Sequence, residues 1–174
     1  LTGSGRDVGE TLCQDTRVRK ISFTGSQEVG ERICAIAGLK KVTMELGSNS
    51  PLVVLPDADL DRVVQGTVQS GYTNAGQVCI SAQRLIVVNE IHDELLEKLA
   101  SKVNEIRAGN QLDESNQVGP MVRPQDAQRV EDWIEKAVSQ GARLLCGGER
   151  EGALMQPTLL SETTADMTVV SLSL

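Results

Sequence analysis

Aromatic side chains are nearly absent from this chain of 174 residues, where Phe23, Tyr72 and Trp133 are the only three. Rings so few and so scattered cannot build the stacking platform on which single-stranded nucleic acid is bound. His92 is the only histidine, and the four cysteines (Cys13, Cys34, Cys79, Cys146) stand far apart with no C-x-x-C pair. The usual zinc-ligand spacings are missing, so no structural metal is expected. Basic residues are outnumbered, 17 Lys and Arg against 24 Asp and Glu, for a formal net charge of −7. That field repels phosphate polymers and anionic membrane surfaces, so neither nucleic acid nor membrane is an expected partner. No apolar run reaches the length needed to cross a bilayer. Nothing resembles a secretory signal, which favours free thiols in a reducing compartment over two disulfides.

What is present is 40% apolar and 24% charged residues, a composition that suits one ordinary soluble domain or the middle of a larger one. The chain opens at Leu1 without an initiator methionine and closes on Ser171-Leu172-Ser173-Leu174, and it is read as a fragment. Strand-like and helix-like segments alternate, the pattern of an α/β protein with a largely parallel sheet. A short helix is expected from Gly5 to Cys13 with Val8 and Leu12 inward, then a strand near Lys20 to Thr24. A turn at Gly25 and Ser26 opens a helix whose Val29, Ile33, Ile36 and Ala37 recur at helical spacing until Gly38. Val42 to Leu46 and Leu52 to Leu55 read as strands joined by the Gly47 to Pro51 loop, the candidate domain boundary. Leu85 to Val88 reads as a buried strand. Leu95, Leu96, Leu99, Val103 and Ile106 mark a helix, and Pro124 opens another that carries Val130, Ile134, Ala137 and Val138. Leu144 to Cys146 and Thr158 to Leu160 read as further strands.

Three aspartates, Asp57, Asp59 and Asp61, raise a calcium site, but an EF-hand loop needs glycine at its sixth position, where Arg62 stands. Acids complementing a helix N-terminus explain them better. Gly5-x-x-x-Gly9 and Phe23-Thr24-Gly25-Ser26 each put small residues at a helix entry, where backbone N–H groups can face a pyrophosphate, although neither is the full G-x-G-x-x-G. Cys13, Cys34 and Cys146 follow apolar residues on faces expected to be core. Cys79 differs, because Asn74-Ala75-Gly76-Gln77-Val78 leaves its thiol accessible among backbone donors, the surroundings that activate a nucleophile. Glu45 sits at the end of a strand and before a glycine; alternation from Met44 first suggests an outward-facing residue on a half-exposed strand, and a ligand-facing carboxylate, at the strand end where α/β sheets bind ligands, is the alternative.

Met44-Glu45-Leu46-Gly47 and Gly76-Gln77-Val78-Cys79, preceded by Phe23-Thr24-Gly25-Ser26, resemble the aldehyde dehydrogenase superfamily in order and spacing. The resemblance runs from Gly5 to about Val170 and takes in Pro56-Asp57-Ala58-Asp59-Leu60-Asp61, Val118-Gly119-Pro120 and Gly147-Gly148. It implies that Cys79 is the nucleophile and Glu45 the general base. It further implies that Gly25 and Ser26 lie beside the NAD or NADP pyrophosphate, that Gly5 and Gly9 belong to the preceding phosphate-side helix, and that the Leu46 backbone lies near the nicotinamide amide. Ser48 departs from the family's second glycine and Ser81 from a smaller or amide residue. After Val170 an acidic pair and a Phe-Gly-Pro segment are replaced by Ser171-Leu172-Ser173-Leu174.

The resemblance therefore implies that residues 1–46 are the C-terminal part of a Rossmann-like NAD(P)-binding domain and 47–174 part of a nucleophile-bearing α/β catalytic domain, truncated at its C-terminus. The implied activity is NAD(P)-dependent oxidation of an aldehyde to a carboxylic acid through a cysteine thiohemiacetal and thioester. The implied parent is cytoplasmic and homo-oligomeric, and the isolated fragment is expected to be inactive. A rival is a non-catalytic truncated remnant with only a structural or association role. A cysteine hydrolase is disfavoured, because His92 alone, at a helix start, makes no Cys/His pair.

Overall fold

In a computed structural model, which describes residues 2–49 and 51–171, the chain divides after Gly47 into two units. In the first, a single π-helical turn (Gly5–Gly9) runs into α1 (Glu10–Gln14), followed by β1 (Lys20–Gly25), α2 (Gln27–Ala37) and β2 (Lys41–Leu46). β1 and β2 pair in parallel from Lys20↔Lys41 to Gly25↔Leu46, which requires a crossover, and α2 supplies it. Along β2 the side chains alternate, with Val42, Met44 and Leu46 half-buried and Lys41, Thr43 and Glu45 exposed. Gly30 and Ala37 are the buried residues of α2. A Cβ at Gly30 would lie 2.8 Å from Leu46 Cδ2, so the bare backbone there is what lets the helix approach the strand. Arg32 pairs with Glu10 at 2.6 Å and ties α1 to α2.

Three expected core positions of this unit prove to be exposed: Leu12, Val29 and Cys34. In α1 it is Cys13 that is buried. In α2 the inward line runs Gly30, Ile33, Ala37, and Cys34 stands about 100° around the helix from Ile33. A cysteine following an isoleucine does not share its face.

The second unit begins with β3 (Pro51–Val54) and α3 (Leu60–Tyr72), then a 3₁₀ turn (Thr73–Gly76), β4 (Arg84–Val87) and α4 (Asn89–Asn104). After a long loop come α5 (Pro124–Ser139), β5 (Arg143–Cys146), β6 (Arg150–Glu151), β7 (Leu154–Met155), β8 (Leu159–Ser161) and α6 (Thr168–Ser171). β3 and β4 are parallel, whereas β5 with β8 and β6 with β7 are antiparallel, so the sheet content is more mixed than the alternation of elements suggested. Leu95, Leu99 and Val103 recur every four residues along α4 and close a core with Val54 and Val64. Truncating one such leucine to alanine costs about 2–5 kcal/mol. Asp59 caps α3 by accepting from the Arg62 N–H at 3.1 Å, and Asp61 pairs with Lys98 at 2.8 Å, so two of the three aspartates serve the helix and its neighbour.

α5 starts at Pro124, and the Asp126 carboxylate in its first turn accepts from Arg123 Nε and Arg129 Nη1, each at 2.9 Å. Those guanidinium groups, Arg123 foremost, hold the Asp126 carboxyl below the usual carboxylate range. The Arg129 guanidinium also lies 5.5 Å from the Trp133 ring centre. The Tyr72 hydroxyl donates to Thr158 O at 3.0 Å, and burial raises its pKa. Gly147 has φ +73°, and a Cβ on it would fall 2.2 Å from Pro157 O, so only glycine fits where the chain leaves β5. β4 is half-buried rather than buried, with Ile86 53% exposed, because among the described residues it has a strand partner, β3, on one edge only. β8 is likewise paired only with β5. Beside these two strands opens a cleft of about 680 Å³ whose lining includes Thr67, Tyr72, Trp133 and Ser161. No described helix is long and apolar enough to cross a membrane.

Candidate active site

The parallel register of β1 and β2 brings four of the singled-out residues to one end of one sheet. Thr24 is opposite Glu45 and Gly25 opposite Leu46, at the carboxyl ends of both strands, the end at which open α/β sheets bind ligands. Glu45 points outward and is exposed. Ser26 caps the eleven-residue α2, its Oγ accepting from the Val29 N–H at 3.4 Å, and leaves the positive end of the helix facing the same strand ends. Gly25 has a packing reason, since a Cβ there would meet Phe23 Cζ at 2.4 Å. At Gly5 and Gly9 a Cβ would meet nothing within 4 Å, so packing does not dictate those glycines. Their turn is capped by Ser4, whose Oγ accepts from the Asp7 N–H at 3.1 Å and donates to Asp7 Oδ2 at 2.7 Å. A carboxylate thus already occupies that first turn. An anionic pyrophosphate therefore fits the α2 N-terminus better than the Gly5 turn.

Cys79 belongs to the second unit and lies on the loop between α3 and β4. The loop opens with three consecutive residues at positive φ, Asn74 (54°), Ala75 (55°) and Gly76 (74°), of which only the glycine adopts that region freely. The turn is closed by Gln77 N–H to Asn74 O at 3.1 Å and Asn74 Nδ2 to Gln77 O at 3.2 Å. Farther on, the Ser81 N–H donates to Val78 O at 2.9 Å and the buried Ser81 Oγ to Gly71 O at 3.3 Å, fixing the far side of the loop to the end of α3. Among the described residues no group accepts from the Cys79 N–H, and the Cys79 side chain is exposed. That combination offers a nucleophile beside a free donor.

Cysteine exposure separates the four thiols. Cys13 is buried, and Cys146 is half-buried with its thiol pKa pushed up by burial, away from the reactive thiolate. Cys34 is exposed like Cys79 but sits within a regular helix, without a loop of backbone donors. The large cleft is lined by Ser81 and Ala82 but not by Cys79.

Two residues to which the sequence assigned no role take part in holding the loop. Ser48 Oγ donates to the Cys79 carbonyl at 2.5 Å, and Gln77 Oε1 accepts from the Val122 N–H at 3.0 Å. Next to Ser48, Asn49 O receives Arg84 Nη2 at 2.6 Å, and Asn49 Nδ2 donates to Val170 O at 2.6 Å. The departure of Ser48 from glycine was the one visible signal. Gln77 gave none, because its partner lies 45 positions away.

Comparison with known proteins matches residues 1–172 to the model of the aldehyde dehydrogenase family. The chain is 43% identical over 166 residues to a lactaldehyde dehydrogenase of Methanococcus aeolicus, covering 95% of this chain and 36% of that protein. Among solved structures, a glyceraldehyde-3-phosphate dehydrogenase of Methanocaldococcus jannaschii complexed with NADP superposes with a TM-score of 0.94 at 42% identity, over 97% of this chain and 37% of the other. A betaine aldehyde dehydrogenase of Staphylococcus aureus in complex with NAD+ gives a TM-score of 0.92 at 30% identity, over 98% and 35%. The α/β fold is therefore shared with these enzymes, and the chain spans about a third of the length of the relatives it matches. On the strength of the family match across nearly all of its residues, this chain belongs to the aldehyde dehydrogenase family.

Proposed function

We propose that this chain carries the nucleophile, the general base and part of the dinucleotide site of an NAD(P)-dependent oxidoreductase that converts an aldehyde to a carboxylic acid. In this reading residues 1–46 are the C-terminal part of the NAD(P)-binding domain and 47–174 part of the catalytic domain. The observation that carries it is the exposed Cys79 with a backbone N–H that no described residue engages, on a braced left-handed loop, in a chain of this family.

Ser26 and Gly25 at the α2 N-terminus, with the Leu46 backbone at the neighbouring strand end, would hold NAD or NADP, and Gly5 and Gly9 flank them through α1. Bound there, the nicotinamide supplies the hydride acceptor that turns a thiohemiacetal into a thioester. The Cys79 thiolate adds to the aldehyde carbonyl carbon, forming the C–S bond and placing the negative charge on oxygen. The Cys79 N–H donates to that oxyanion, and losing such a donor typically costs about 10²–10³ in rate. Glu45 accepts a proton from the water that attacks the thioester, and the C–S bond breaks to return the thiolate. Glu45 is exposed at the strand end, where water can reach its carboxylate oxygens.

The test uses the protein expressed from its native gene. Cys79→Ala is expected to abolish NAD(P)-linked aldehyde oxidation. Glu45→Gln is expected to slow breakdown of the acyl-enzyme more than its formation, so rapid-quench mass spectrometry shows a mass adduct on Cys79. Undiminished turnover in Cys79→Ala would defeat the reading. A folded protein that forms neither adduct nor product with any short aldehyde would instead favour a non-catalytic, association role.

A further inference from the structure

The chemistry above gives no role to Gln77, yet its side chain makes two hydrogen bonds in opposite directions. Nε2 donates to Asn74 O at 3.0 Å, inside the left-handed turn, and Oε1 accepts from the Val122 N–H at 3.0 Å. The Val122 end is anchored: Val118 and Met121 are buried, and the Met121 N–H donates to Ala153 O at 2.8 Å. One residue on, Arg123 is held by Asp126 at the start of α5. The Asn74 end is strained, because Asn74 and Ala75 carry side chains at φ 54° and 55°. Such conformations persist only where their surroundings hold them.

From this geometry we infer that Gln77 is a positioning residue, its amide acting as the strut that holds the Asn74 to Gly76 turn, and with it the Cys79 backbone, against the 118–123 segment. The inference rests on the reading of Cys79 as nucleophile. An amide is the group the position needs, since it donates at one end and accepts at the other. Glutamate would keep the acceptor for Val122 but set an oxygen against Asn74 O, and leucine would lose both bonds. Ser48 holds the Cys79 carbonyl, so slack at Gln77, two residues earlier, translates into tilt of the Cys79 peptide about that bond. A misplacement of about 1 Å at a reacting centre costs on the order of 10²-fold in rate. Val118, from a segment singled out in the sequence without a function, is buried four residues before Val122 and bonds Arg107 O and the Gly109 N–H, which steadies the chain that leads to this abutment.

The experiment compares Gln77→Leu, Gln77→Glu and Cys79→Ala in the protein expressed from its native gene. Gln77→Leu is expected to lower kcat on the order of 10–100-fold with KM for aldehyde and cofactor within about twofold, and Gln77→Glu to lose less. Hydrogen exchange, which needs no turnover, is expected to quicken by about tenfold at the amides of residues 74–80 and at Val122 while those of α4 stay unchanged. Unchanged kcat in a folded Gln77→Leu protein overturns the inference. So does faster exchange spread across α4, the mark of a general stability role. Should Gln77→Leu not fold, Gln77→Glu decides, and parental kcat with parental exchange in that variant overturns the inference. Turnover that survives Cys79→Ala defeats the underlying reading instead.

Discussion

Replacing Gly147 by alanine tests whether the chain path out of β5 is as tightly constrained as the geometry implies. Two costs apply. At φ +73° an alanine sits in the left-handed region, which costs about 1–2 kcal/mol. Its Cβ would also fall 2.2 Å from Pro157 O and 2.6 Å from Thr158 Oγ1. The clashing oxygen is backbone, one residue before the segment leading into β8, so it can be relieved only by moving that segment away from β5, an overpacking cost of about 1–3 kcal/mol. Gly152 supplies the control, with φ +60° and nothing within 4 Å of an added Cβ. Both substitutions stiffen the unfolded chain equally, so the difference between them isolates the clash. At roughly 4 °C per kcal/mol for a unit of this size, Gly147→Ala should melt about 4–12 °C below Gly152→Ala. Thermal scans by circular dichroism, with calorimetry as a second readout, measure the difference. Equal midpoints would show that the β5 to β8 contact gives way without cost and that the steric argument is wrong.

Iodoacetamide near pH 7 should label Cys79 and Cys34 first, Cys146 later and Cys13 last in the folded chain, as peptide mapping over time can establish; early modification of Cys146 would contradict its burial and raised thiol pKa. Asp126→Asn should lower the melting temperature at neutral pH, because a carboxyl held below its usual range stabilises the fold while it is ionised. That deficit should shrink as pH falls below about 4, where the parent carboxylate takes up its proton too, and a deficit independent of pH would show that the Arg123 and Arg129 pairs contribute nothing.

Legibility in the sequence followed the range of the interaction concerned. The β1, α2, β2 succession was readable because alternation and helical spacing are local, and α4 because Leu95, Leu99 and Val103 mark one face within nine residues. The loop bearing Cys79 was readable for its small residues. Cys34 was misjudged because a neighbour in sequence was taken for a neighbour on the helix face. The hairpin of β6 and β7 has strands of two residues, too short to show any period, and the antiparallel pairing of β5 with β8 depends on a turn geometry at Gly147 that a Gly-Gly pair alone does not specify. Ser48 and Gln77 act through bonds spanning 31 and 45 positions, and nothing in the local pattern around either residue points to its partner.

The placement of the three aromatic residues decides what optical methods can see of this protein. Tyr72, bonded to Thr158, and Trp133, beneath Arg129, both belong to the second unit, and the first contains only Phe23. Fluorescence from the chain is therefore a signal of the second unit alone. The first unit has no tyrosine or tryptophan of its own to report its unfolding, whereas its buried Cys13, once accessible to a thiol reagent, would do so.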